Sequence, residues 1–191
     1  MYDTVLAAAA AAHERLRSQD PTPLFAAADT VLWAFRAGAK VLLFGNGGSA
    51  ADAQHVAAEF VGRFRRERAA AAAVALSTDT SILTAIGNDY SFDRIFARQI
   101  EALGRRGDVA VAISTSGVSP NVLLAVEAAR SAGLVTIGFT GRDGGPLGRA
   151  VDIHVNVPEQ DTARIQEVQR TLLHVLCELV ERELPSETTK A

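Results

Sequence analysis

Apolar segments of strand length alternate with segments of helical periodicity along most of the chain. Residues 41–44 and 109–113 are apolar at every position and 134–139 nearly so, which predicts strands buried on both faces. Weaker patterns predict strands over 73–76 and 153–157, and the alternation of polar and apolar residues in the last one places it at a sheet edge. Helices between such strands indicate a mainly parallel, five-stranded sheet that is covered on both faces.

Helical periodicity also fills both ends of the chain. Two helices are predicted before the first strand, and prolines at 21 and 23 separate them. The predicted helices cover residues 2–18, 24–37, 50–61, 81–86, 92–103, 120–131 and 162–183. We therefore expect an α/β fold, a doubly wound α-β-α sandwich, as a single domain over 1–191. Its predicted parts are an N-terminal helical pair (1–38), a parallel sheet core (39–158) and a long C-terminal helix (159–184).

Composition excludes several classes of protein. The 48% of apolar residues in 191 is too high for a disordered chain. No apolar run is long enough to cross a bilayer, and the start lacks the pattern of a secretory signal, so we expect no membrane association. The net charge of −3 argues against a nucleic-acid binder. The single cysteine, Cys177, cannot form an internal disulfide, so we expect a cytoplasmic protein.

A glycine-rich loop, residues 45–49, follows the first predicted strand and leads into a helix. Its N–H groups and the Ser49 hydroxyl are suited to binding an anion at a helix N-terminus. A nucleotide P-loop would need a lysine before Ser49, and a dinucleotide fingerprint would prefer glycine where Ala50 stands. The residues of this loop are equally consistent with a simple strand-to-helix turn that binds no ligand.

A second small-residue loop follows the strand at 109–113 and contains four hydroxyl side chains, Ser114, Thr115, Ser116 and Ser119. One side-chain oxygen is enough to cap a helix, so this number exceeds the structural need, although an over-capped helix stays open. Ligands of doubly wound sheets bind beyond the carboxyl ends of the strands, where both loops fall. Together the loops predict a site for a phosphate monoester.

Four side chains on two helices are candidates for the chemistry. His55 and Glu59 are four residues apart on one helix face, a spacing that suits two ligands of one metal or a base with its orienting partner, or a simple surface contact. Gln166 and His174 lie on the C-terminal helix, about 12 Å apart along its axis. Leucines and a valine make much of this helix core-facing, a pattern that by itself favours a packed, structural His174. One metal touching both Gln166 and His174 would need converging side chains or a ligand from a neighbouring subunit, and the sequence leaves both possibilities open.

Together these motifs resemble the SIS domain of phosphosugar-binding proteins and, more closely, the phosphoheptose isomerase family. The matching segments are residues 45–59, 77–89, 114–121 and 161–167. The resemblance implies conversion of sedoheptulose 7-phosphate to D-glycero-D-manno-heptose 7-phosphate by a homotetramer with active sites at subunit interfaces, with one zinc ion in each subunit.

The resemblance also implies residue roles. Glu59 would be the base that acts on carbon and His174 the acid and base that moves the oxygen protons, although a metal-bound Glu59 would be a poorer base. Zinc would be held by His55, Glu59, Gln166 and His174. Substrate would be bound by Asn46, Gly47, Gly48, Ser49, Arg63, Asp89, Ser114, Thr115, Ser116, Ser119 and Gln166. Two departures from the family pattern are the alanines at 69–73 and Gln169, which replaces a histidine.

Two other functions stay open on the sequence. One is a non-catalytic SIS protein that acts through protein contacts, such as the bacterial factor that binds the replication initiator DnaA. The other is a binding or lyase module for amino-sugar phosphates. The joint presence of Glu59 and His174 favours the isomerase.

The other residues that could carry chemistry are expected to be structural. We expect His13 at the surface, His154 on the edge strand, Cys177 buried and inert, and residues 63–68 as a solvated helix end.

Overall fold

The computed structural model describes residues 1–186. Its centre is a five-stranded sheet in which every paired neighbour is parallel, in the order β2-β1-β3-β4-β5. The strands are β1 (Val41–Gly45), β2 (Ala73–Ala75), β3 (Val109–Ser114), β4 (Val135–Gly141) and β5 (Ile153–Val157). The prediction of five strands in a doubly wound sheet with β5 at an edge is confirmed.

Helices cover both faces of the sheet. They are α1 (Tyr2–Arg17), α2 (Thr22–Arg36), α3 (Gly48–Val61), α4 (Thr80–Asp89), α5 (Ala97–Leu103), α6 (Pro120–Ser131), α7 (Gly145–Ala150) and α8 (Thr162–Glu183). Apolar side chains of α1, α2, α3 and α8 pack on one face, and those of α5, α6 and α7 pack on the other. The N-terminal helical pair and the long C-terminal helix are therefore confirmed. Residues 187–191 of the predicted single domain lie outside the described residues.

Two helical predictions differ from the structure. The helix predicted over 92–103 is a 3₁₀ turn at Phe92–Arg94 followed by the short α5. Helix α7 was not predicted, because its sequence holds two glycines and a proline, which are poor helix formers. Tertiary contacts stabilise it instead, since Leu147 is fully buried and its N–H donates to the Gly117 carbonyl.

The central strands place the two small-residue loops beside each other. β1 and β3 are buried at every residue and pair in register from Val41 with Val109 to Gly45 with Ile113. Their carboxyl ends therefore lie at the same edge of the sheet, at the point where the strand order reverses. This is the position where ligands of open α/β sheets bind.

The prediction of a solvated helix end at 63–68 is wrong for Arg68. That side chain is buried, with Nε 3.3 Å from Glu181 of α8, and it donates to the carbonyls of Glu59 and Phe60. Arg63 is exposed, as expected for a helix end. Arg68 is buried because Glu181 supplies the partner charge that a buried guanidinium needs.

Within residues 1–186, no helix combines the length and the apolar character needed to cross a membrane.

Candidate active site

Close backbone approach makes glycine necessary in the first loop. A β-carbon at Gly45 would lie 2.6 Å from the Ile113 carbonyl oxygen of β3. Gly47 has a positive φ of 56°, a conformation that side chains disfavour. The N–H groups of Gly47 and Gly48 donate to no described residue, so they are free to bind an anion at the N-terminus of α3.

The second loop keeps part of its hydroxyl set free. Ser114 Oγ accepts from the Gly117 N–H at 3.2 Å, and Ser116 Oγ accepts from the Val118 N–H at 3.4 Å. Ser119 is the N-cap residue of α6, yet its side chain makes no capping hydrogen bond. Ser119 Oγ instead lies 3.4 Å from Ser114 Oγ. Among the described residues, Thr115 Oγ1 has no hydrogen-bond partner, and binding of phosphate by this loop stays a prediction.

An amide pair joins the two loops. Asn46 Nδ2 donates to Asn121 Oδ1, and Asn121 Nδ2 donates to Asn46 Oδ1, each at 2.8 Å. Asn121 lies in the first turn of α6 and is almost fully buried. Nothing in the sequence indicates which side chain faces Asn46, so Asn121 has no predicted role. This reciprocal bond fixes the separation of the two candidate phosphate loops.

Helices α3 and α8 run side by side in parallel. Each contacting residue of α3 meets the residue of α8 that lies 118 or 119 positions later in the chain. A β-carbon at Gly48 would collide with the amide of Gln166. One and two turns further on, Arg170 Nε donates to Asp52 Oδ1 at 2.8 Å, and His174 Nε2 lies 2.8 Å from His55 Nε2. One end of this helix pair therefore lies at the glycine-rich loop, and the other end carries the histidines.

His55, Glu59 and His174 form the candidate catalytic cluster. His55 Nε2 lies 3.3 Å from Glu59 Oε1, and one ligand atom from each of the three residues lies within 4.8 Å of the others. Two imidazole nitrogens and one carboxylate form a donor set typical of catalytic zinc, which keeps a position open for substrate. The cluster therefore fits a zinc ion.

The surroundings of His174 favour its neutral form. Burial of the ring is the main cause that lowers the pKa of His174 below its ordinary value of 6.5, and the charges of His55 and Arg170 act in the same direction. Glu59 opposes this shift but does not cancel it. The Phe64 ring, 5.4 Å away, covers part of the imidazole. A neutral imidazole can accept a proton or bind a metal.

Within residues 1–186, three predicted site residues make no hydrogen bond or ion pair with this cluster. Gln166 lies two turns before His174, against Gly48. Arg63 pairs with Glu67, with 3.6 Å between Nε and Oε2, and Asp89 accepts from Asn88 at the end of α4. Within residues 1–186, Arg63 and Asp89 make no hydrogen bond to the loops or the cluster.

The remaining candidates behave as structural residues. Burial raises the pKa of the Cys177 thiol to about 12, which makes it a poor nucleophile. His154 lies on the edge strand as expected, and its Nε2 bonds Thr140 Oγ1 at 2.6 Å. His13 is half-buried on α1 and bonds Thr171 of α8 at 2.9 Å, so it is less exposed than expected.

Comparison with known proteins agrees with this geometry. Residues 5–141 match the model of the SIS domain family. Phosphoheptose isomerases of Roseiflexus sp. (strain RS-1) and Geobacter sp. (strain M21) are 61% and 60% identical, over 84% and 83% of this chain and 82% of each relative.

Solved structures agree as well. Phosphoheptose isomerase GmhA from Neisseria gonorrhoeae matches with a TM-score of 0.90 and 46% identity, over 95% of this chain and 97% of that one. A phosphoheptose isomerase from Francisella tularensis matches with a TM-score of 0.92 and 34% identity, over the same shares. This chain therefore belongs to the phosphoheptose isomerase family of SIS-domain proteins.

Proposed function

We propose that this chain interconverts sedoheptulose 7-phosphate and D-glycero-D-manno-heptose 7-phosphate. The observation that carries the proposal is the cluster of Glu59 and His174 with His55, two to three helical turns along α3 from the candidate phosphate loops. This distance, about 10 Å from Gly48 to His55, fits a phosphorylated seven-carbon chain. The names of the similar proteins support the same activity.

The phosphate group is held at the edge of the sheet in this proposal. Its ligands are the N–H groups and hydroxyls of the two loops, from Gly47, Gly48, Ser49, Ser114, Thr115, Ser116 and Ser119. Asn46 and Gln166 bind the adjoining part of the sugar. Because helix N-termini and hydroxyls supply the donors, the site needs no lysine.

The reaction needs a base at carbon and a proton carrier at oxygen. Glu59 removes a proton from C1 of the ketose, which gives an enediolate, and returns it to C2. His174, held neutral by burial, accepts the proton of the C1 hydroxyl and delivers a proton to the C2 oxygen. The proton count balances, so no external oxidant or reductant is required. His55 orients Glu59 and His174 through its contacts with both.

His55, Glu59 and His174 are the residues that would hold zinc. A zinc ion at this position would stabilise negative charge on the sugar oxygens. The amide of Gln166 lies against Gly48, at the other end of the helix pair from the histidines. A role of Gln166 as the fourth zinc ligand therefore stays a prediction.

We further propose a single SIS domain that assembles as a cytoplasmic homotetramer with its active sites at subunit interfaces. The large exposed apolar side chains Trp33, Tyr90 and Phe92 support association. Arg63 and Asp89, which make no hydrogen bond to the cluster within residues 1–186, would then reach a site from a neighbouring subunit.

The decisive experiment incubates the protein with sedoheptulose 7-phosphate in D₂O, with and without a chelator, and follows formation of the aldose and its deuterium content by NMR. Wild-type protein should form the aldose, and a carbon proton that exchanges with solvent while it is on Glu59 appears as deuterium at C1 of the ketose or at C2 of the aldose. Absence of both aldose formation and deuterium incorporation, with and without added zinc, would contradict the isomerase and favour a non-catalytic, protein-binding SIS function.

The variant Glu59→Gln tests the base directly. It should lower kcat by at least about a thousandfold, because the amide cannot accept the carbon proton, while substrate affinity measured by calorimetry stays within a few-fold of wild type. Glu14→Gln, an exposed change on α1, is the control and should retain full activity. Substantial activity of Glu59→Gln would exclude Glu59 as the base.

A further inference from the structure

An ion pair lies midway between the two ends of the candidate site. Arg170 is four residues after Gln166 and four before His174, so all three share one face of α8. Asp52, its partner, occupies the matching position on α3 between Gly48 and His55. Both members of the pair therefore lie along the line that joins the phosphate loops to the catalytic cluster.

The geometry of the pair holds the guanidinium in one orientation. Arg170 Nε and Nη2 both donate to Asp52 Oδ1, at 2.8 and 2.5 Å. The Asp52 side chain is 2% exposed, whereas the Arg170 side chain is 53% exposed. Within residues 1–186, Arg170 Nη1 makes no hydrogen bond. A buried carboxylate thus fixes one edge of the guanidinium and leaves the other edge in solvent.

The position of Arg170 matches the middle of the proposed substrate. An extended chain from the phosphorus atom to the reacting carbons spans roughly 9 Å, given single-bond lengths of about 1.5 Å. The helix pair covers about 10 Å from Gly48 to His55, and Asp52 lies about 6 Å from Gly48. The central hydroxyls of a seven-carbon chain would therefore pass beside Arg170.

We propose that Arg170, oriented by Asp52, binds the central hydroxyl groups of the sugar phosphate through Nη1 and helps to select a seven-carbon chain. This inference rests on the proposed function, since the substrate defines the path between the loops and the cluster. Arg170 is a substrate-binding residue and Asp52 is a positioning residue. A cation fixed in advance loses little conformational entropy when it binds hydroxyl oxygens.

The variant Arg170→Lys separates binding from structure. Lysine keeps the charge beside Asp52 but lacks the second arm of the guanidinium, so it cannot hold the carboxylate and reach the sugar together. We expect a ten- to hundredfold weaker Kd for sedoheptulose 7-phosphate, measured by calorimetry in the Glu59→Gln background. The Kd for inorganic phosphate should stay unchanged, and Tm should shift by only a few degrees.

Further variants complete the design. Asp52→Asn should raise KM more than it lowers kcat, and Arg170→Met should weaken sugar binding at least as much as the lysine variant. Arg182→Met removes an exposed arginine of α8 that also pairs with a glutamate, and as the matched control it should bind the sugar like wild type.

Three results would overturn the inference. They are unchanged sugar affinity in Arg170→Lys, equal losses for the sugar phosphate and inorganic phosphate, and a fall in Tm without any change in Kd. The last result would make the pair a purely structural link between helices. Failure of the wild-type protein to isomerise the sugar would instead contradict the proposed function, and the binding measurements would still decide the role of Arg170.

Discussion

At the scale of single residues, the candidate catalytic cluster combines two side chains that are close in sequence with one that is distant. His55 and Glu59 share a helix face, so their proximity follows from their spacing. His174 is 119 residues from His55, and no local rule relates the two. The family resemblance identified His174, whereas the apolar pattern of its helix alone favours a packed histidine. Asp52, Arg170 and Asn121 carried no local signal and were missed.

Gln169 is a buried amide without a partner. It is 0% exposed, and among the described residues neither its Nε2 nor its Oε1 has a hydrogen-bond partner. Gln169→Leu should therefore raise the free energy of unfolding by about 1–3 kcal/mol, because it removes an unpaired polar group from the core. Urea unfolding measures the change, and Gln19→Glu, an exposed substitution, is the control. A fall in stability would mean that the amide has a partner after all.

At the scale of elements, the loops at the ends of β1 and β3 lie beside each other and are joined by side-chain hydrogen bonds. The periodicity of the sequence predicted both strands and both loops, because runs of apolar residues define buried strands. It did not predict how the loops contact each other. That contact is made by the reciprocal amide bonds of Asn46 and Asn121.

Asn121→Asp tests this contact between the loops. It keeps the size of the side chain but replaces one donor with an acceptor and adds negative charge beside the phosphate site. We expect a Kd for inorganic phosphate at least about tenfold weaker and a loss of about 1–3 kcal/mol in stability. Calorimetry and thermal unfolding measure the two effects, with Gln19→Glu as a charge-matched control. Phosphate binding equal to wild type would show that the loops do not need the pair.

At the scale of the whole molecule, the C-terminal helix α8 contacts both the candidate site and the hydrophobic core. α8 carries Gln166, Arg170 and His174 on the side that faces α3, while its apolar face packs against α1 and α2. Near the end of α8, the Glu181 carboxylate accepts hydrogen bonds from the backbone N–H groups of Phe64, Arg65 and Arg66. The segment after α3 is thereby held where the Phe64 ring covers His174.

Glu181 makes this arrangement dependent on pH. Burial acts to raise the pKa of Glu181, but the three backbone donors and Arg68 outweigh it and hold the pKa below its ordinary value of 4.5. Stability from the ionised carboxylate is therefore complete above pH 4.5 and is lost as the pH falls through the lowered pKa.

The variant Glu181→Gln provides the measurement. It should lower the free energy of unfolding at pH 7 by about 1–3 kcal/mol, because the amide offers only one acceptor oxygen and no charge. The difference from wild type should shrink as the pH falls below 4.5, measured by urea unfolding at several pH values. Glu14→Gln, exposed on α1, should show no such trend. A difference that is constant with pH would exclude ionisation of Glu181 as its cause.

The sequence alone determined most elements of the fold and the positions of the two small-residue loops, because hydrophobic periodicity and glycine or hydroxyl content are local properties. Phosphate binding by these loops stays a prediction. The sequence failed at α7, where packing overrides weak helix propensity, and at Arg68, where a distant carboxylate permits burial. Only the tertiary structure decided which side chains of α3 and α8 meet. That outcome depends on how the two helices align as they pack against the sheet, and spacing within either helix does not specify it.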